Sequence, residues 1–88
     1  MSTTARDAVV DTETAHIMDR NLDLSHGFAQ AILDDPALLS EVPNGVTLVL
    51  LPKDDPEMFE INLKIGMDAA RRGENVYLRQ VTRDGRPA

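Results

Sequence analysis

The sequence predicts a small α/β domain in which N-terminal helices are followed by a βαβ unit with two parallel strands. Three observations lead to this fold class. Residues 46–51 are almost all apolar, which is typical of a parallel strand buried on both faces. Residues 56–72 have the spacing of an amphipathic helix, and residues 76–82 have the composition of a second, more polar strand. Because strand, helix and strand follow one another within 37 residues, we expect the two strands to be parallel.

The chain has 88 residues, which is enough for one domain, and we expect that domain to cover residues 21–82. Residues 1–20 mix polar and charged side chains without a clear period. We therefore predict a flexible N-terminal arm, part of which, around residues 12–18, can extend a helix when a partner is present. Residues 83–88 contain a glycine and a proline and are predicted to form a flexible C-terminal tail.

Two helices and a turn are predicted before the first strand. The pattern indicates a helix over residues 23–34, which begins at a capping carboxylate or hydroxyl. A shorter helix over residues 36–42 starts with Asp35-Pro36, a capping residue followed by a proline at the first helical position. Asn44-Gly45 is a turn signal that separates this helix from the strand.

The βαβ unit has clear boundaries. Pro52 ends the first strand, and Asp55-Pro56 supplies a cap and a first residue for the next helix. Along that helix, charged residues stand four apart and form a solvated stripe, while apolar residues occupy the opposite side. Gly73 is expected to end the helix in the left-handed conformation, after which the chain enters the second strand.

A sheet of two strands is marginal in water, and its open edges favour pairing with another strand. The helix over residues 56–72 can cover one face, yet residues 46–51 carry apolar side chains on both faces. We therefore expect a symmetric homodimer that either joins the strands into a four-stranded sheet or packs the exposed faces together. The alternative is a monomer in which the helical segments 23–34 and 36–42 cover the second face.

The composition argues against several classes of function. The net charge of −6 repels phosphate backbones, and the three arginines near the C-terminus are too few for a nucleic-acid-binding surface. No apolar run approaches the roughly 18 residues that span a bilayer, and the N-terminus lacks a signal-peptide pattern. The chain has no cysteine, which fits a reducing compartment. We expect a cytoplasmic protein without nucleic-acid or membrane partners.

Several short motifs are similar to those of one known family. They are Asn21-Leu22-x-Leu24-Ser25-x-x-Phe28, Leu33-x-x-Pro36-x-Leu38-Leu39-x-x-Val42-Pro43-x-Gly45, Leu51-Pro52-x-Asp54-Asp55-Pro56 and Asn62-Leu63. Through these motifs, over about residues 21–81, the chain resembles a family of small uncharacterised bacterial proteins described as a domain of unknown function. The resemblance implies a bacterial α/β protein. It supplies no activity and no catalytic residues.

The loop before the second long helix is a candidate ligand site. It follows the carboxyl end of a parallel strand and precedes a helix, which is where open α/β sheets bind ligands. Lys53 can meet a phosphate, and Asp54 and Asp55 can help to hold a cation such as Mg²⁺. Helix capping is the preferred explanation of Asp55. Because the spacing places no further carboxylates beside them, we predict no metal and no cofactor.

Asn62 is the other candidate. On a helical wheel it falls within the apolar side of its helix, where a buried amide must find partners or costs about 1–3 kcal/mol. It can bond backbone near the loop, bond its symmetry mate across an interface, or line a small pocket, and the first two are preferred. The two histidines, His16 and His26, lack the spacing of a zinc pair.

Two functions follow from these observations. The preferred one is a non-catalytic homodimeric module for protein interaction or regulation, with another protein as a further candidate partner. The alternative is a domain that binds a small ligand, metal or phosphate at the loop, with Lys53, Asp54, Asp55 and Asn62 as its site. The sequence contains no catalytic constellation, so we do not expect an enzyme.

Overall fold

The computed structural model describes residues 12–88, which form three helices and two strands. The elements are α1 (Thr12–Asp34), α2 (Ala37–Ser40), β1 (Thr47–Pro52), α3 (Pro56–Arg71) and β2 (Val76–Val81). The strands form a parallel sheet in which Thr47 is paired with Val76 and Pro52 with Val81. None of the helices in this range is long and apolar enough to cross a bilayer. The predicted α/β class and the parallel βαβ unit are confirmed.

α3 begins and ends close to the residues that the sequence indicates. Asp55 Oδ1 accepts a hydrogen bond from the Met58 N–H at 3.4 Å, which satisfies one of the free donors of the first turn. Pro56 occupies the first helical position, where its missing N–H costs nothing. Gly73 has a φ of +93° just after the helix, the left-handed conformation that closes many helices.

α1 covers the face of the sheet opposite to α3. Leu24 and Phe28 of α1 are buried against Leu50 and Val81, and these residues form the core on that side. The helices of one chain therefore cover both faces of β1, as the monomer alternative proposes. A second copy is not needed to cover a face, and within residues 12–88 it is the edges of the sheet that lack a neighbouring strand.

α1 begins at Thr12, eleven residues before the predicted start, so the second half of the predicted arm is helical. Arg20 explains this difference, because its guanidinium pairs with Asp55 and, at 3.1 Å, with Glu57 at the start of α3. These contacts join residues 35 or more positions apart, and a charged residue within the polar arm gives no local sign of them. The first eleven residues of the predicted arm lie outside the described residues.

The residues after β2, predicted as the C-terminal tail, form a hydrogen-bonded turn. The Thr82 N–H donates to the Arg86 carbonyl at 2.7 Å, and the Gly85 N–H donates to the Thr82 carbonyl at 2.9 Å. Gly85 is buried against α1, where a Cβ atom would lie 2.2 Å from the Leu24 carbonyl oxygen. Arg86 also pairs with Asp34 at 2.9 Å. Local composition does not reveal such long-range contacts.

Candidate functional site

The loop between β1 and α3 contains three of the four residues predicted to form a ligand site. Asp55 is engaged twice, because one carboxylate oxygen caps α3 and the other pairs with Arg20. Lys53 and Asp54 are exposed, and their side chains form no hydrogen bond or ion pair within residues 12–88. The structure therefore confirms the capping role of Asp55, whereas the ligand-binding role of the loop stays a prediction.

A recess of about 90 Å³ lies beside the start of α3. It is lined by Arg20, Asp23, Leu24, Asp55, Met58 and Arg83. Its charges are of both signs, and the pair between Arg20 and Asp55 neutralises two of them. In the part of the chain that the structure describes, no group of three histidine or carboxylate residues is placed to hold a metal ion, and both histidines are exposed. The wall of the recess is therefore formed in part by a salt bridge of the fold itself.

Asn62 connects three elements through its side-chain amide. Its Nδ2 donates to the Leu50 carbonyl oxygen at 2.9 Å and to Asn21 Oδ1 at 2.7 Å. The residue is 3% exposed, and its Oδ1 has no hydrogen-bond partner within residues 12–88. The bond to the Leu50 carbonyl agrees with the first alternative predicted for Asn62, a hydrogen bond to backbone. None of these contacts joins Asn62 to the loop residues Lys53 and Asp54.

Asn21 is a site residue that the sequence analysis did not select. It lies on α1, in the stretch treated as the boundary between arm and domain, and it is half-buried. Its Oδ1 accepts one of the two hydrogen bonds of Asn62. One signal in the sequence indicates this residue. Asn21 opens the first family motif, and its partner Asn62 opens the Asn-Leu motif of α3.

Few backbone groups remain free on the open edge of β1. The N–H groups of Thr47 and Lys53 donate to carbonyls at the two ends of the β2 segment, at 2.7 and 2.9 Å. Successive residues of a strand point their N–H and carbonyl groups alternately toward one neighbour and the other. The N–H and carbonyl groups of Leu48, Leu50 and Pro52 are therefore directed to the open edge. The Leu50 carbonyl is bonded by the amide of α3 described above, and Pro52 has no N–H.

The Pro52 carbonyl accepts a hydrogen bond from the Asp55 N–H at 3.1 Å. Three groups then remain within the described structure, namely the N–H and the carbonyl of Leu48 and the N–H of Leu50. Natural sheets commonly protect their edges with prolines and side-chain bonds of this kind. β1 thus has a short open edge.

The open edge of β2 is less protected. Because the Val81 carbonyl points to β1, the peptide groups of Val76, Leu78 and Gln80 point away from it. The end of this edge is closed by the C-terminal residues, since Pro87 forms an antiparallel bridge with Val81. At Val76 and Leu78 no such cover exists within residues 12–88, and the Leu78 side chain is 44% exposed.

Apolar side chains of α3 lie beside this edge. Gly66 sits over the space between the strands, because a Cβ atom there would lie 3.1 Å from the Leu78 side chain and 3.4 Å from Val49. Ile65 lies on the side of the helix that faces the β1 edge. The opposite side, at helical spacing, carries Leu63, Met67 and Ala70. We call Leu63, Met67, Ala70 and Leu78 the apolar strip; of these four only Leu63 is half-buried, and the others are exposed.

Glu74 connects the end of α3 with the start of β1. Its carboxylate accepts a hydrogen bond from the Thr47 hydroxyl at 3.0 Å and another from Arg72 Nη2 at 3.0 Å. The bond from Thr47, followed by that from Arg72, lowers the pKa of Glu74 below its ordinary value of 4.5. Of the C-terminal arginines, Arg79 pairs with Glu41, and Arg86 is bound to α1 as described above.

Comparison with known proteins provides a family and no activity. The comparisons with curated proteins and with solved structures gave no match. A family model matches residues 16–85, which is 70 of the 88 residues, and contains every element apart from the first turn of α1. The match also extends through Gly85 of the C-terminal turn. The chain belongs to the Family of unknown function (DUF5647).

Proposed function

We propose that the protein is a non-catalytic interaction module of the bacterial cytoplasm that acts as a homodimer. In this proposal two copies associate through the open edge of β2. The observation that supports it best is the position of the free peptide groups of Val76 and Leu78 next to the apolar strip. An exposed strand edge flanked by apolar side chains favours pairing with another strand. The absence of cysteine supports a reducing compartment.

Antiparallel pairing about a two-fold axis at Tyr77 suits this edge. It places Val76 opposite Leu78 of the second copy and Leu78 opposite Val76 of the second copy. Each of these two pairs exchanges two hydrogen bonds, which makes four. The strand of the second copy begins at its Val76, so the turn before that residue leaves room for the C-terminal bridge at Pro87.

The apolar strip supplies most of the stabilisation in this arrangement. Four backbone hydrogen bonds contribute about 1 kcal/mol each, whereas association costs at least about 4 kcal/mol of lost translational and rotational freedom. Gly66 places α3 between the strands, about 5 Å from the two-fold axis for strands about 4.8 Å apart. The two copies of α3 then lie about 10 Å apart, the distance of packed helices. Met67 and Leu63 fill the space between them.

Two other arrangements have less support. Pairing of exposed sheet faces lacks a free face, because α1 and α3 each cover one. A small-ligand site formed by Lys53, Asp54, Asp55 and Asn62 lacks convergent free groups, because Asp55 is bound to Arg20 and Asn62 is bound to Leu50. The proposal therefore rests on the sheet edge.

Sedimentation equilibrium of the full chain tests this proposal. We expect a dimer for the unchanged chain and a dimer dissociation constant at least tenfold higher for Leu78→Lys. Leu33→Lys is the matched control, because Leu33 is 74% exposed on the outer side of α1. Circular dichroism establishes that each variant is folded. A folded chain that stays monomeric at about 1 mM, a concentration at which even weak dimers form, contradicts the proposal.

A further inference from the structure

A groove of about 230 Å³ runs along the open edge of β1, on the other side of the sheet from the proposed dimer contact. Its walls come from α1 and α3, and its floor is the edge of the strand. Its lining residues include Asn21, Ser25, Leu48, Leu50, Asn62 and Ile65. All of them are uncharged, so the groove has no side chain that would select an ion.

Backbone groups on the floor of the groove have the spacing of a strand. The free groups are the N–H and carbonyl of Leu48 and the N–H of Leu50, two residues and therefore about 6.6 Å apart along the strand. Successive outward peptide groups of any extended chain have this same spacing. Donors and acceptors of this kind match the peptide groups of an added strand.

A buried acceptor lies in the same groove. Asn62 is 3% exposed, its Oδ1 has no hydrogen-bond partner in the described residues, and its Nδ2 is already bonded to Leu50 and Asn21. This oxygen has almost no accessible surface, so the polar side chain that the α1 wall offers to a bound chain is the exposed Ser25 hydroxyl.

Apolar side chains border the groove on both sides. Ile65 of α3 is 47% exposed. On the α1 side the groove continues into a second recess, which shares Asn21 and Ser25 and is also lined by Met18 and Leu22. Met18 is 58% exposed and Leu22 66% exposed. Alternate side chains of an extended segment would therefore meet apolar surface.

We propose that this groove binds an extended, uncharged segment of another polypeptide, which pairs with β1 as an added strand. A second copy of the chain does not suit the site. At this edge α1 as well as α3 borders the strand, so a second copy would have to place both helices against their counterparts, whereas a single extended segment meets one pair. The occupant must be a segment without flanking helices, such as a tail or a loop. This site is independent of the proposed dimer, which uses the opposite edge.

Selection from a displayed library of random linear nonapeptides against the full chain tests the inference. We expect enriched peptides that are uncharged at their centres. For such a synthetic peptide, Ser25→Lys should weaken binding at least tenfold, because Ser25 is an exposed residue of the groove wall. Gln30→Lys is the matched control on the same helix, since Gln30 is exposed on its other side. NMR should show slower exchange of the Leu48 and Leu50 amide protons in the complex.

Three results overturn the inference: no enrichment, equal affinity for the Ser25→Lys variant, or unchanged exchange at Leu48 and Leu50. A peptide N-methylated at alternate residues adds a test of backbone pairing, and it should lose binding when the methylated amides face β1. Leu78→Lys separates this site from the dimer contact. The Leu78→Lys variant should bind the peptide with the same affinity as the wild-type chain, whether the wild-type chain is a monomer or a dimer.

Discussion

Gly27 of α1 lies directly against the carbonyl group of Asp84, in the turn after β2. A Cβ atom on Gly27 would lie 1.6 Å from that oxygen and 2.8 Å from the carbonyl carbon. Gly85 makes the complementary approach, because a Cβ atom there would lie 3.0 Å from the Phe28 nitrogen. The C-terminal turn and α1 are therefore packed backbone to backbone, and two glycines permit this contact.

Gly27→Ala is expected to lower the free energy of unfolding by about 1–3 kcal/mol, because the new methyl group meets backbone that must move. In an ordinary helix the same change stabilises by about 0.5–1 kcal/mol, so the sign of the effect identifies the contact. Urea unfolding followed by circular dichroism measures it. Gln30→Ala is the control at an exposed position of the same helix, with an expected change near zero. Stabilisation by Gly27→Ala would show that the turn does not pack there.

Asn62→Ala is expected to destabilise the fold by about 1–3 kcal/mol, because it leaves the Leu50 carbonyl without its donor and opens a small cavity. Asn21→Ala removes a single contact from a half-buried residue, so its effect should be smaller. Thermal unfolding of both variants gives the comparison, and Lys64→Ala on the exposed side of α3 is the control. If the two asparagine variants were equally stable, the bond from Asn62 to the Leu50 carbonyl would add no stability beyond that of the bond between the two asparagines.

Arg20→Met should loosen the first half of α1, because it keeps the apolar stem and removes the pair with Asp55 and Glu57. We expect amide hydrogen exchange over residues 12–20 to become about fivefold faster, which corresponds to about 1 kcal/mol for a partly exposed pair. Exchange near Phe28 should stay unchanged. Arg71→Met is the control, since its pair with Asp68 is exposed. If amide exchange over residues 12–20 were as slow in Arg20→Met as in the wild-type chain, this role of Arg20 would be refuted.

Glu74→Gln is expected to reduce the loss of stability in acid. The pKa of Glu74 is lowered in the folded state, so the fold gains stability from the ionised carboxylate above its ordinary value of 4.5 and loses it as the pH falls through the lowered value. Melting temperatures between about pH 7 and pH 2.5 follow this change. The variant should melt lower than the unchanged chain near neutral pH, and the difference should disappear in acid. A difference in melting temperature that stayed constant into acid would contradict this role of Glu74.

The element order could be predicted because each boundary depends on residues close in sequence. α3 begins where it does because the Asp55 carboxylate accepts a hydrogen bond from a free N–H of the first turn and because Pro56 has no N–H to satisfy. It ends just before Gly73, which adopts a left-handed conformation that other residues avoid. The apolar run of β1 likewise indicates burial on both faces. These signals need no knowledge of distant residues.

The candidate site could be predicted only in part. The position of Asn62 on the apolar side of α3 indicates a buried amide, and the structure confirms that burial. Its partner Asn21 is 41 positions away, and nothing in the spacing of the sequence links the two. The same holds for Arg20 with Asp55, and therefore for the true start of α1.

The sequence by itself determined the α/β class, the parallel βαβ unit and the boundaries of α3, because propensity, capping and periodicity act within a few residues. Only the tertiary structure decided which surfaces are covered. α1 takes the second face of the sheet, the turn at Gly85 closes the end of one edge, and Asn62 protects part of the other. These outcomes depend on contacts between distant segments, whose geometry is fixed only when the helices pack on the sheet.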